Sequence, residues 1–107
     1  MNSRQKGARG EREWAEVLRA YGYEARRGQQ FSGGTESPDV VCKDLAWLHF
    51  EVKRVERLDL AAACHQAAED AVDKRWAVAH RRNNQPWAVT IEAPFFFELI
   101  KNYNPNK

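Results

Sequence analysis

Apolar and polar positions alternate most cleanly at residues 48–54. Leu48, Phe50 and Val52 share one side of an extended strand, and Glu51 and Lys53 share the other, with His49 beside Glu51 in the same alternation. Upstream the period changes to that of a helix. Trp14, Val17, Leu18 and Tyr21 make an apolar stripe from about Gly7 or Ala8 to Ala20, and Gly22 stops it. Arg26 to Ser32 reads as a short strand running into a turn punctuated by Gly28, Gly33 and Gly34. Val40–Cys42 and Ala46–Arg54 predict two strands, joined through Lys43, Asp44 and Leu45 in a way that suits a hairpin. A second helix covers roughly Leu60 to Lys74. Trp76–His80 and Trp87–Ile91 predict later strands around a polar turn at residues 81–86. Pro94 opens a short terminal helix whose Phe95, Phe96, Leu99 and Ile100 are expected to dock on the core.

This order predicts an α/β domain, a mixed β-sheet flanked by helices. The second helix would be a right-handed crossover joining the Glu51 strand to the Trp76 strand in parallel. With no repeat or linker, residues 1–107 are expected to form one domain with loose ends at 1–6 and 102–107.

Composition narrows the picture. Apolar residues make up 43 % of the 107 positions, enough for one modest core. No apolar run is long enough to span a membrane, and the basic start is not followed by the apolar stretch of a signal peptide. Cys42 and Cys64 have no zinc-ligand spacing and read as buried thiols of a reducing, cytoplasmic compartment. Net charge is only +2, but its distribution matters more than its sum. Arg4, Lys6, Arg9 and Arg12 crowd the start, and Arg26-Arg27 and Arg81-Arg82 recur near element ends. These are candidate phosphate contacts, supplying affinity and register with little base specificity.

Candidate chemistry centres on carboxylates. Asp39 follows Pro38 at the start of an apolar strand, and a hairpin would bring it to Glu51. Two such carboxylates suit a divalent metal, and Lys53, one same-face step on, can orient water or stabilise negative charge. A third acid comes from the first helix. Glu11 and Glu13 border its buried stripe from opposite sides, and periodicity barely favours Glu11. Gly33-Gly34-Thr35 does not make a P-loop, which argues against nucleotide hydrolysis. His49, His65 and His80 have no compact zinc spacing. His65 suits a polar or packing role, whereas His49 and His80 are candidates to face a substrate.

Three runs together carry a resemblance: Lys6-Gly7-Ala8-Arg9-Gly10-Glu11-Arg12-Glu13-Trp14, Pro38-Asp39-Val40-Val41, and Phe50-Glu51-Val52-Lys53. In this order they resemble the archaeal-type Holliday-junction resolvases of the PD-(D/E)xK nuclease superfamily, and more closely the small phage- and prophage-borne members. The likeness runs from Lys6 to about Ile91. It implies a restriction-endonuclease-like fold, with Glu11 as the helix-borne catalytic acid and Glu13 as the alternative. Asp39 and Glu51 would then be metal ligands, with the Val52 backbone carbonyl a further donor and Glu11 either holding a metal-bound water or completing a second metal site. Lys53 would position the attacking water and counter charge on the phosphate. Gly28 to Ser37 is longer than the matching loop of the archaeal enzymes, so Ser32 and Ser37 both stay open as the family's serine. Similar nucleases often place a glutamine on the helix after this strand, where Gln66 stands, either orienting a site water or touching phosphate, or simply exposed.

The resemblance implies Mg²⁺- or Mn²⁺-dependent hydrolysis of DNA phosphodiesters, leaving 5′-phosphate and 3′-hydroxyl ends. Activity should be weak at low pH and absent after chelation. A homodimer is implied because a four-way junction has two scissile strands, and a bacterial host cell is implied for a phage-borne chain. Phe97 or Trp87 could reach the second copy, though Trp87 could equally close the core. Two rival readings are a broader structure-selective or nicking nuclease in phage genome processing, and a non-catalytic DNA-binding module.

Overall fold

The computed structural model describes residues 3–28 and 40–106, with side chains from Gly7 onward in the first helix. Helix α1 spans Ser3–Ala20, beginning earlier than Gly7 or Ala8. Its buried face is Trp14, Ala15 and Leu18, and the Trp14 ring meets Phe50 edge-on at 5.6 Å and Trp87 at 5.2 Å. Trp87 therefore closes the core of its own chain. Gly10 is where helix and sheet come closest: a Cβ there would lie 2.7 Å from Cβ of Arg54. The helix ends in a Schellman turn, in which Gly22 (φ +94°) donates to Arg19 and Tyr23 N–H donates to Leu18. That turn swings Tyr21 away from the sheet, leaving it 79 % exposed, contrary to its place in the apolar stripe.

Two short strands follow, β1 (Ala25–Arg27) and β2 (Val40–Cys42), paired antiparallel with Arg27 opposite Val40 and Ala25 opposite Cys42. Here the expected hairpin is corrected. The ladder partner of β2 is β1, and a 3₁₀ turn at Lys43–Leu45 carries the chain on to β3 (Leu48–Arg54). Once β1 uses the ladder groups of β2, the connection can bend instead of folding back as a hairpin.

β3 runs parallel to β4 (Arg75–Arg81) over seven residue pairs, from Leu48–Arg75 to Arg54–Arg81. Helix α2 (Leu60–Ala71) makes the crossover, capped by Asp59, whose Oδ1 accepts from Ala62 N–H at 3.0 Å. Its buried stripe is Ala63, Ala67 and Ala71, small residues that let it lie close against Val78. β5 (Ala88–Thr90) adds antiparallel to β4, completing a mixed sheet in the order β3-β4-β5. Phe50, Val52, Ala77 and Ala79 face α1, while Val78 faces α2. The result is a mixed α/β fold with helices on both faces of a mixed sheet, as the element order predicts.

Helix α3 (Ala93–Lys101) starts at Glu92 with Pro94 in its first turn. Only Phe95 docks, edge-on to Trp47 at 5.8 Å and beneath the Arg75 guanidinium. Phe96, Leu99 and Ile100, expected in the core, are exposed together with Phe97. The core already holds Trp14, Phe50 and Trp87, and α3 reaches it with one residue. None of the described helices is long and apolar enough to cross a membrane.

Candidate active site

β3 is an edge strand of its sheet, and its central carboxylate is buried there. Glu51 is 6 % exposed, held by the same alternation that sends Phe50 and Val52 into the α1-facing core. Its two oxygens face different neighbours. Oε1 lies 3.7 Å from Nζ of Lys53, and Oε2 lies 3.6 Å from Nε2 of His49. Among the described residues, Glu51 Oε2 and His49 Nε2 are both buried without a hydrogen-bond partner. A separation of 3.6 Å is too long for a hydrogen bond between them.

The opposite layer supplies a second acid. Gln66 and Asp70 stand one turn apart on α2, each just before a buried alanine of the stripe. Gln66 Nε2 donates to Asp70 Oδ2 at 2.9 Å. Ligand atoms of His49, Glu51 and Asp70 all lie within 4.8 Å of one another, a spacing that fits one metal ion. Sequence reasoning gave Asp70 no role and kept His49 only as groove-facing. The available signals were the i, i+4 pair Gln66–Asp70 beside an alanine stripe and the His49/Glu51 alternation.

From α1 comes Glu11, 5 % exposed, whose Oε1 accepts from Arg27 Nε at 3.2 Å. Burial raises its carboxyl above the ordinary range, against the lowering pull of Arg27; the nearby charge of Glu51 raises it further. Glu13 turns elsewhere. It accepts from Arg81 Nη1 at 2.9 Å and pairs with Arg54 at 3.3 Å and Arg9 at 3.5 Å. Thus the structure brings Glu11 toward Glu51 and surrounds Glu13 with arginines.

The basic candidates separate similarly. Arg27 and Arg81 are engaged with Glu11 and Glu13, and Arg9 joins the second cluster. Arg12, Arg26 and Arg82 are exposed. Arg4 and Lys6 fall within α1. His80 bonds Thr90 Oγ1 across β4–β5 at 2.9 Å, and His65 pairs with Glu69 on the surface. Asp39, Ser32 and Ser37 lie outside the described residues.

A helix-flanked mixed sheet with acids and a lysine gathered at one edge strand is restriction-endonuclease-like architecture, and the His49, Glu51 and Asp70 set is consistent with a metal-dependent nuclease centre. The family model described as archaeal Holliday junction resolvase (Hjc) matches residues 2–69, more than half of the chain. The chain belongs to that family and is a metal-dependent endonuclease with DNA as its partner. No curated protein and no solved structure matches it significantly.

Proposed function

We propose that this protein resolves four-way DNA junctions, hydrolysing phosphodiester bonds with Glu11, Asp39, Glu51 and Lys53 as its catalytic set. The observation that carries the reading is the buried Glu51 carboxylate, flanked by Lys53 and acted on by Glu11, with one oxygen unpaired among the described residues. A buried carboxylate in that setting is costly unless a cation completes it. Its oxygen donors fit a hard divalent ion such as Mg²⁺, for which Mn²⁺ can substitute. Asp39 precedes Val40, which pairs across the ribbon with Arg27, the residue that holds Glu11. This supports a place for Asp39 at the same centre.

A divalent ion held there would supply polarisation of the phosphoryl oxygen and acidification of water. Asp39 and Glu51 would hold it, with the Val52 carbonyl as a further donor. Lys53 extends from Glu51 toward solvent, where its ammonium positions the attacking water and counters charge gathering on the phosphate. Glu11, oriented by Arg27, would accept a hydrogen bond from the attacking water or serve as a further metal ligand. Gln66 acts through Asp70.

Exposed Arg12, Arg26 and Arg82, with Arg4, Lys6 and Arg9 on α1, would contact phosphates, and Arg27 and Arg81 would shape that surface from their carboxylate pairs. A homodimer would match the two scissile strands of a junction, and the uncovered Phe96, Phe97, Leu99 and Ile100 give it an apolar surface. Cys42 and Cys64 are free thiols, which supports action in the cytoplasm, a bacterial host's where the chain is phage-borne.

The test is cleavage of a labelled mobile four-way junction, matched duplex and fork, with and without Mg²⁺, by wild type and Asp39→Asn. Paired symmetric incisions confined to the junction, the metal and the wild type are expected. Equal cleavage of all three substrates would replace the resolvase with a broader structure-selective or nicking nuclease. Binding without any cleavage would leave a DNA-binding module.

A further inference from the structure

We infer that His49, Glu51 and Asp70 form a metal position of their own, with Glu51 bridging it to the catalytic centre. The inference rests on the nuclease reading for the role of Glu51, but its ligands come from the α2 side of the strand. Three observations meet there. Glu51 turns Oε1 toward Lys53 and Oε2 toward His49, so one carboxylate presents an oxygen to each side. Its side chain is only 8 % exposed, and Oε2 and the facing His49 Nε2 have no hydrogen-bond partner among the described residues. Asp70 completes the set, with all three ligand atoms within 4.8 Å.

The spacing is close to that of ligation. Two atoms each about 2.2 Å from one ion lie no more than about 4.4 Å apart. The His49–Glu51 pair stands inside that limit at 3.6 Å, and the exposed Asp70 side chain, within 4.8 Å of both, needs only a small rotation to meet it. The facing nitrogen and oxygen would otherwise remain buried and unsatisfied, which proteins rarely tolerate. Asp70 has its orientation set by Gln66, as outer partners commonly set carboxylate ligands. An imidazole beside two carboxylates selects a chemical class. Mg²⁺ prefers oxygen alone, whereas first-row transition ions accept nitrogen readily. The position is therefore for a transition divalent ion, which Mn²⁺ can report.

His49 supplies a signature that the catalytic oxygens lack. Mn²⁺-loaded wild-type protein, without added DNA, should show ¹⁴N coupling from a bound imidazole in pulsed electron paramagnetic resonance. The coupling should persist in His65→Gln, a control for the exposed His65–Glu69 pair, and vanish in His49→Gln. Mn²⁺ titration should give two ions per chain in the wild type and one in both His49→Gln and Asp70→Asn. Asp70 is exposed, so its variant keeps the fold when His49→Gln does not. Gln66→Ala should weaken the second ion about tenfold. Bound Mn²⁺ without ¹⁴N coupling, or with equal stoichiometry in wild type and Asp70→Asn, overturns the position and leaves the nuclease centre standing. Loss of all Mn²⁺ binding in the wild type would overturn both.

Discussion

Glu11 and Glu13 stand two residues apart on α1 and meet opposite surroundings. Around Glu13, Arg9, Arg54 and Arg81 bring positive charge from α1, β3 and β4, fastening the helix to the strand ends. Around Glu11 there is Arg27, which donates to it, with the weaker charge of Arg12 and, opposing them, the charge of Glu51. The first cluster carries more cations than its acid can neutralise. The second gathers carboxylates at a strand edge, where Oε2 of Glu51 has no hydrogen-bond partner among the described residues and faces an imidazole nitrogen. Oε2 of Glu13 also lacks a hydrogen bond but lies 3.3 Å from the Arg54 guanidinium and 3.5 Å from that of Arg9. Both draw on the same helix and cost desolvation, but only the second sets two carboxylates against each other. A partly exposed acid ringed by arginines holds a fold together, whereas a buried one beside a second carboxylate and a lysine waits for a cation and a substrate.

The largest test of this contrast is catalytic. Lys53→Ala should lower the single-turnover cleavage rate at saturating Mg²⁺ by about 10²–10³-fold, with junction binding largely kept. Gel-shift and cleavage assays on one preparation would separate the effects, and a wild-type rate would remove Lys53 from the mechanism. Chelation should abolish cleavage altogether and restored Mg²⁺ should recover it.

Next comes the arginine cluster. Glu13→Ala should cost about 1–2 kcal/mol of stability because buried Arg54 is left with only Glu56, at 3.9 Å, to offset it beside Arg81. Urea unfolding checks the loss, and the folded fraction should still cut DNA. If cleavage disappeared with stability intact, the division between the two glutamates would be wrong.

A pH series sharpens it further. Burial raises Glu11 above its ordinary carboxyl value of 4.5, with Arg27 opposing and Glu51 adding to the rise; Arg12 is a further lowering charge. Folding is therefore favoured by the protonated form. That contribution is full below 4.5 and is lost as pH rises through the raised value. In metal-free protein, Glu11→Gln should gain stability relative to wild type across that window, read from urea midpoints at each pH. A constant difference would contradict the burial argument.

The smallest effect lies at the end of α2. Val72 takes φ 60° and ψ −96°, a strained setting for a β-branched residue. Val72→Gly should stabilise the fold by about 1 kcal/mol, measured by thermal unfolding, and leave both carboxylate regions untouched.

Much of this contrast could be read before the fold. Alternation through Phe50, Glu51, Val52 and Lys53 placed the polar pair on one side of a strand, and the structure keeps it there. The parallel crossover was also visible, because a helical segment separates two apolar strands. Glu11 and Glu13 were not separable by period, since each borders the same stripe; distant Arg27, Arg54 and Arg81 distinguish them. Asp70 was hidden for a related reason. Its place beside His49 depends on how closely an alanine stripe lets α2 approach the sheet, which no local pattern reports. The β2 partner was missed because a three-residue connection between strands permits a hairpin without requiring one. In α3, apolar spacing described a face without saying whether the core had room for it.

The most direct test of the central claim compares Glu51→Gln with Glu13→Gln in single-turnover cleavage of one labelled four-way junction at saturating Mg²⁺. The account predicts that Glu51→Gln folds, binds the junction and does not cut it, while folded Glu13→Gln cuts as the wild type does. Cleavage by Glu51→Gln at the wild-type rate would contradict it, because no metal-dependent centre could then depend on that carboxylate.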